Sequence, residues 1–117
     1  MLVIRPEQMK ALAGSMNRVF AGRLAARLTR RLPESCVALG EDALNHLIEH
    51  SIEKGKRYGM TERDVAILAE LMLQFPPDFD QSPEFSWTRS LLEQRGPESA
   101  GRMEVLYFRM TGQTVEG

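Results

Sequence analysis

The chain has 117 residues, of which 43% are hydrophobic and 26% are charged, a composition that is typical of a globular domain and excludes a disordered chain. Two domains are excluded as well, because each half would be too small to bury a useful core. The 15 lysines and arginines nearly balance the 16 aspartates and glutamates, so the overall charge gives no reason to expect binding to nucleic acid or to an anionic membrane.

Three further features bear on where the protein works. A single cysteine, Cys36, excludes an internal disulfide and suits a reducing compartment. The first residues lack the basic segment, apolar core and cleavage site of a signal peptide. No uninterrupted apolar run approaches the ~20 residues that cross a bilayer. We therefore expect a soluble, cytoplasmic protein that does not bind membranes.

The first third of the chain carries a helical pattern. Apolar residues recur at three- and four-residue steps over residues 6–32, which predicts a first helix that Pro33 ends. Residues 34–40 are predicted to form a connector. Its apolar side chains, Val37 and Leu39, are expected to reach back to the core.

The middle of the chain predicts two helices joined by a tight turn. The second helix runs from about Glu41 to Tyr58 and ends at Gly59, which suits a left-handed closing residue. Its expected buried residues are Leu44, Leu47, Ile48 and Ile52. Thr61 is the predicted N-cap of the third helix, which extends to about Gln74, where two prolines follow.

The last third is less regular. Residues 82–84 are expected to open a short helix that ends at Gly96. Residues 103–110 fit both a helix and a strand, and we favour a helix because a lone strand would have no partner. The pattern as a whole predicts an all-α protein. It forms one compact domain of four to five helices over residues 1–110, followed by a flexible C-terminal tail at 111–117.

One short motif suggests metal chemistry. His46 and His50, with Glu49 between them, match the His-x-x-Glu-His pattern of inverted zinc proteases, in which two imidazoles share a helix face. A catalytic site also needs a third protein ligand and a substrate cleft, and this chain has little room for either. Because the histidines lie opposite the apolar residues of the second helix, we interpret them as part of a solvated face, with adventitious metal binding as the alternative.

The best carboxylate cluster is Asp78 and Asp80, with Glu84 nearby. Paired carboxylates can perform acid–base catalysis, but prolines and aromatic residues around them are equally typical of a rigid turn or a partner contact. Calcium is a weaker alternative, because the alternating ligands of a calcium loop are absent. The chain has no nucleophile-elbow serine and no glycine-rich phosphate loop. We therefore expect no enzymatic activity, no metal or other cofactor and no small-molecule substrate.

Four arginines of the first helix lie within about 100° of one another on a helical wheel, namely Arg23, Arg27, Arg30 and Arg31. Arginines beside an apolar stripe are either partners of internal ion pairs or the rim of a protein interface. Nucleic acid is the weakest alternative, because no aromatic stacking platform accompanies them. The aromatic and acidic loop at residues 76–88 offers a second surface. The predicted protein-binding residues are Arg23, Arg27, Arg30, Asp78, Phe79, Asp80 and Trp87.

Several of these segments resemble a family of small α-helical accessory proteins of bacterial type VI secretion loci. The resemblance rests on Ile4–Met9, Gly59–Val65, Leu71–Met72, Pro77–Asp80 and Trp87, together with the arginine-rich first helix that ends near Pro33. It covers about residues 4–92 of the chain.

This resemblance implies a non-enzymatic co-chaperone, an adaptor that pairs with an effector-specific chaperone or with an effector protein before delivery. No catalytic residues come with it, and self-association into a homo-oligomer is left open. The alternative is an immunity protein that binds and blocks a cognate toxin. Inhibitors of nucleases are often strongly acidic because they mimic the substrate, and this chain is nearly neutral.

Overall fold

Six α-helices make up most of the chain that the computed structural model describes, which is residues 18–94 and 101–115. In chain order they are α1 (Arg18–Arg31), α2 (Pro33–Leu39), α3 (Glu41–Arg57), α4 (Glu62–Gln74), α5 (Ser86–Leu92) and α6 (Arg102–Thr111). Two short 3-10 turns connect α4 to α5, at Phe79–Gln81 and Pro83–Phe85. These two ranges of residues contain no β-strand, and the Cα radius of gyration of 13.7 Å is close to the ~13 Å of a compact 100-residue domain. The all-α, single-domain prediction is confirmed, with one helix more than expected.

One hydrophobic core joins α1, α3, α4 and α6. On α3 the residues predicted to face inward are all buried, namely Leu44, Leu47, Ile48 and Ile52. The other helices contribute, among others, Phe20, Leu24, Leu28, Val65, Leu68, Met72, Met103 and Leu106. On the other side of α3, His46 and Glu53 are exposed, as expected for its solvated face.

The main departure from prediction lies between α1 and α3. Residues 34–40 were expected to be a connector, but Pro33 begins a further helix there, α2. Proline suits the first turn of a helix, because its missing N–H would have no helical partner in that position. The helix turns Cys36 into the core and leaves Val37 83% exposed and Leu39 39% exposed. The prediction that Val37 and Leu39 reach the core is therefore wrong.

The corner between α3 and α4 follows the sequence signals. Gly59 has a φ of 65°, a left-handed conformation that glycine adopts without steric cost. The hydroxyl of Thr61 accepts a hydrogen bond from the backbone N–H of Asp64 at 3.2 Å, so Thr61 is the N-cap of α4. α4 ends at Gln74, as predicted.

The helical interpretation of residues 103–110 is confirmed, because they lie within α6. The helix is anchored by Arg102, whose side chain enters the interior and is 3% exposed. Its guanidinium donates hydrogen bonds to the backbone carbonyls of Leu92 and Tyr58, each at 2.8 Å. Arg102 thus ties the start of α6 to the C-terminal ends of α5 and α3, where carbonyls have no helical donor.

The ends of the predicted domain lie partly within the described structure. Thr111, assigned to the tail, is the last residue of α6, and Val115 packs half-buried against the core. Residues 6–17 of the predicted first helix, Gly96 and residues 116–117 lie outside the described residues.

None of the helices in the described ranges combines the length and the apolar character needed to cross a membrane.

Candidate protein-binding surfaces

Arg27, a predicted contact residue on α1, and its neighbour Arg31 face α4 and form internal ion pairs with it. The Nε atoms of Arg27 and Arg31 each lie 3.0 Å from a different carboxylate oxygen of Glu70. The Glu70 side chain is 2% exposed and each arginine side chain 22%. Because a carboxylate buried to this extent needs its partners, Arg27 and Arg31 hold α1 against α4. The sequence left two interpretations of these arginines open, an internal ion pair or an interface rim, and the ion pair applies to Arg27 and Arg31.

Arg23 and Arg30 remain at the surface of α1. The side chain of Arg23 is 66% exposed and lies 3.3 Å from Glu62 of α4. Arg30 is exposed. Arg23 borders a groove of about 190 Å³, which we call the α1–α4 groove and which is lined by Phe20, Arg23, Leu24, Arg27, Glu62, Arg63 and Ala66. Three of these residues are apolar, and the other four are three arginines and Glu62, so the groove combines an apolar surface with charged groups of both signs.

The loop between α4 and α5 is directed toward the interior. Its aromatic residue Phe79 is completely buried, and Phe85 packs edge-to-face against both Phe75 and Phe79, with ring centroids 5.9 Å and 6.3 Å apart. Phe79 therefore cannot contact a partner in this conformation. The prolines and acidic residues around Phe79 predicted a surface loop. In the structure the rings of Phe75, Phe79 and Phe85 pack against one another and turn Phe79 inward.

Asp80, also predicted as a contact residue, belongs to a buried polar network. Its carboxylate accepts hydrogen bonds from the ammonium of Lys54, from the hydroxyl of Tyr58 at 2.6 Å and from the amide of Gln81 at 3.0 Å. Lys54 also donates to the carbonyl of Pro77 at 2.9 Å. Lys54 and Tyr58 lie four residues apart on α3, so they share the helix face that meets the loop. The network fixes the loop to α3.

The ionisation of this network is set by burial and hydrogen bonding. Burial raises the pKa of Asp80, but the hydrogen bonds from Lys54 and Tyr58 and the charge of Lys54 outweigh it and hold this pKa below its ordinary value. Burial and the hydrogen bond to Asp80 raise the pKa of Tyr58 to about 12. The Asp80 side chain is 1% exposed and already holds three donors, so a substrate cannot reach it.

Asp78 is the accessible member of the acidic pair. Its side chain is 63% exposed and lies 2.8 Å from Nε2 of His50 and 3.2 Å from Nζ of Lys54. The hydrogen bond with His50 lowers the pKa of Asp78. His50 thus faces the loop, whereas His46, its partner in the zinc-like motif, is exposed. Within the described residues, no three His, Cys, Asp or Glu side chains are grouped so that they could hold a metal ion.

Trp87 and the neighbouring helix α6 form a further surface. The sequence analysis predicted Trp87 as a contact residue but not the exposed residues of α6. Trp87 is half-buried, and the guanidinium of Arg109 on α6 lies 5.7 Å from its ring centroid. Beyond Arg109, Val105 and Phe108 are 44% and 54% exposed. The sequence of α6 does indicate that Val105 and Phe108 are exposed. Met103, Leu106, Tyr107 and Met110 recur at helical spacing on one face, so Val105 and Phe108 lie on another.

Comparison with known proteins identifies no relative. The chain matches no family model, and neither the curated proteins nor the solved structures contain a significant match to it.

Proposed function

We propose that this chain is a non-enzymatic adaptor, a co-chaperone that pairs with an effector-specific chaperone or with an effector in bacterial type VI secretion. The observation that carries the proposal is the α1–α4 groove, which is lined by three apolar side chains together with three arginines and one glutamate. The secretion context comes from the motif resemblance. The groove supplies the surface through which such an adaptor would bind.

The charges at the groove can exchange partners at low cost. Arg23 and Glu62 form an ion pair whose side chains are 66% and 47% exposed, and exposed pairs contribute only ~0–1 kcal/mol to stability. A carboxylate from a partner protein could therefore replace Glu62 without destabilising the fold. Val19, 65% exposed one helical turn before Arg23, extends the apolar surface. The partner expected here is a protein segment that carries acidic side chains next to an apolar anchor.

Co-purification tests this proposal directly. The tagged chain is co-expressed with the effector and the effector chaperone of its own locus, and the affinity of any retained complex is measured. Arg23→Glu should weaken binding by about tenfold or more, which corresponds to ~1.4 kcal/mol. Arg30→Glu is the matched control, because it makes the same charge change on α1 outside the groove. Equal binding by the parent and both variants would exclude the groove as the contact surface.

Deletion of the gene separates the adaptor from the immunity alternative. Loss of effector delivery with normal growth is the result expected for a co-chaperone. Poisoning of the deletion strain or of its sibling cells would instead identify an immunity protein. The net charge of −1 favours the adaptor over an inhibitor that imitates nucleic acid.

A further inference from the structure

Two carboxylates of the chain itself hold the exposed arginines of the α1–α4 groove. Glu62 lies 3.3 Å from Arg23, and Glu104 of α6 lies 2.9 Å from Arg63. The four side chains are between 39% and 66% exposed. Arg23 and Arg63 both line the groove, and Glu104 reaches Arg63 from outside the residues that line it. An anionic partner that enters the groove therefore meets arginines that already have a carboxylate.

We propose that Glu62 and Glu104 are internal competitors of the partner. They occupy Arg23 and Arg63 until two carboxylates of the partner displace them, and they thereby limit the affinity of the groove. The proposal rests on the proposed function in so far as the groove is the contact surface of the adaptor. It commits to one occupant, a peptide segment of a partner protein that carries two acidic side chains on either side of an apolar one.

The charged residues that line the groove favour an acidic occupant. Three of them are arginines, and Glu62 is the one acidic residue of the lining. A guanidinium is weakly hydrated and matches a carboxylate with paired N–H donors, so arginine is enriched in protein interfaces, whereas glutamate is depleted. The partner is therefore expected to bring carboxylates to the arginines and not cations to the glutamate.

The two walls of the groove determine how the acidic side chains of the partner are arranged. Arg23 belongs to α1 and Arg63 to α4, and these two helices form the walls. Phe20 on α1 and Ala66 on α4 supply apolar lining. An occupant that places one apolar side chain on this lining and directs one carboxylate to each wall satisfies both arginines.

The third arginine of the groove is not available for exchange. Arg27 lies 3.0 Å from Glu70, whose side chain is only 2% exposed, and a carboxylate buried to this extent needs its partners. The pairs of Arg23 and Arg63 are exposed, and exposed pairs contribute little to stability. A partner can therefore open these two pairs without disturbing the contact between α1 and α4.

The competition predicts that loss of a glutamate strengthens binding. The apparent affinity of a site is reduced by the fraction of molecules in which the site is competent, and an arginine held by Glu62 or Glu104 is not competent. A glutamate that contacted the partner favourably, or that only supported the fold, would weaken binding or leave it unchanged when it is replaced. The direction of the effect therefore separates the competitor role from these alternatives.

Fluorescence anisotropy on the purified full chain tests the proposal with a labelled peptide, Ala-Glu-Ala-Leu-Ala-Glu-Ala. Glu62→Gln and Glu104→Gln should each bind the peptide about two- to fivefold more tightly than the parent, a gain limited by the weakness of exposed pairs. The double variant should exceed either single variant. Glu53→Gln is the matched control, because it makes the same charge change at an exposed position of α3 outside the groove and should leave the affinity unchanged.

Three results would overturn the proposal, once thermal melting has verified that each variant folds. The first is a peptide that binds neither the parent nor the double variant. The second is equal binding of a peptide in which both glutamates are replaced by glutamine. The third is a pair of glutamate variants that bind no more tightly than Glu53→Gln.

The same variants, measured with the chaperone and the effector, distinguish this proposal from the adaptor function. A chaperone or effector that binds the parent and the double variant equally well overturns the internal competition and leaves the adaptor function standing. Tighter binding of the peptide by the double variant, without a complex with either protein, supports the competition and counts against the adaptor function.

Discussion

The ammonium group of Lys54 donates a hydrogen bond to the carboxylate of Asp80, and each of these side chains is only 1% exposed. The pair joins α3 to the turn that begins at Phe79. Lys54 also lies 5.7 Å from the centroid of the buried Phe79 ring, so charge and aromatic packing act at one place. This contact holds the turn against α3.

Removal of one member of the pair should be strongly destabilising. Lys54→Met leaves the Asp80 carboxylate buried without its cation, and the loss of one partner of a buried ion pair costs ~3–5 kcal/mol. Urea denaturation should show this decrease in the free energy of unfolding. Lys56→Met, at an exposed position on the same helix, should change it by less than ~0.5 kcal/mol. The double variant Lys54→Met/Asp80→Asn should recover part of the loss; equal stability of parent and Lys54→Met would contradict this view of the pair.

The stability of the parent should fall in acid because of Asp80. Its folded-state pKa lies below the ordinary value, so the folded state favours the ionised form. The resulting stabilisation is complete above the unfolded pKa of ~3.9 and is lost as the pH falls through the folded pKa. The parent should therefore exceed Asp80→Asn in stability at neutral pH, and the difference should shrink below about pH 4. Urea midpoints measured over a pH series report this difference; a constant gap down to pH 2 would exclude the mechanism.

At alkaline pH, deprotonation of Tyr58 should destabilise the same network. Its pKa is raised to about 12 in the folded state, so the protonated phenol is favoured by folding. This contribution is complete below the unfolded pKa of ~10 and is lost as the pH rises toward the folded value. Stability should decrease above about pH 10, and Tyr58→Phe should lack this component. Tyrosinate absorbance during titration, compared between parent and variant, assigns the transition.

Gly55 and Gly22 should respond in opposite directions to the same substitution. A Cβ at Gly55 would overlap the Cγ2 methyl of Val65, where α3 and α4 approach closely, whereas a Cβ at Gly22 would meet nothing within 4 Å. Gly55→Ala should cost ~1–3 kcal/mol through overpacking. Gly22→Ala should stabilise by ~0.5–1 kcal/mol, because alanine is the better helix former. Thermal melting of the two variants measures both effects. A stabilised Gly55→Ala would mean that the two helices do not pack as closely as described.

Local features of the sequence determined the helical architecture. Gly59 and Thr61 act within one turn of chain, so the end of α3 and the start of α4 could be predicted without knowledge of the fold. The buried face of α3 was equally predictable, because a single helix of period 3.6 has only one face that collects Leu47 and Ile48. The α2 helix was missed, because Pro33 was read only as a helix terminator and it also begins helices.

Only the tertiary structure decided which polar and aromatic residues are available to a partner. Arg27 and Glu70 are 43 positions apart and Lys54 and Asp80 are 26 apart, so no local pattern shows that each pair meets. An arginine on a helix suits an interface rim and an internal ion pair equally well. The outcome depends on whether a neighbouring helix presents an opposite charge at that point, which is a property of helix packing and not of any single segment.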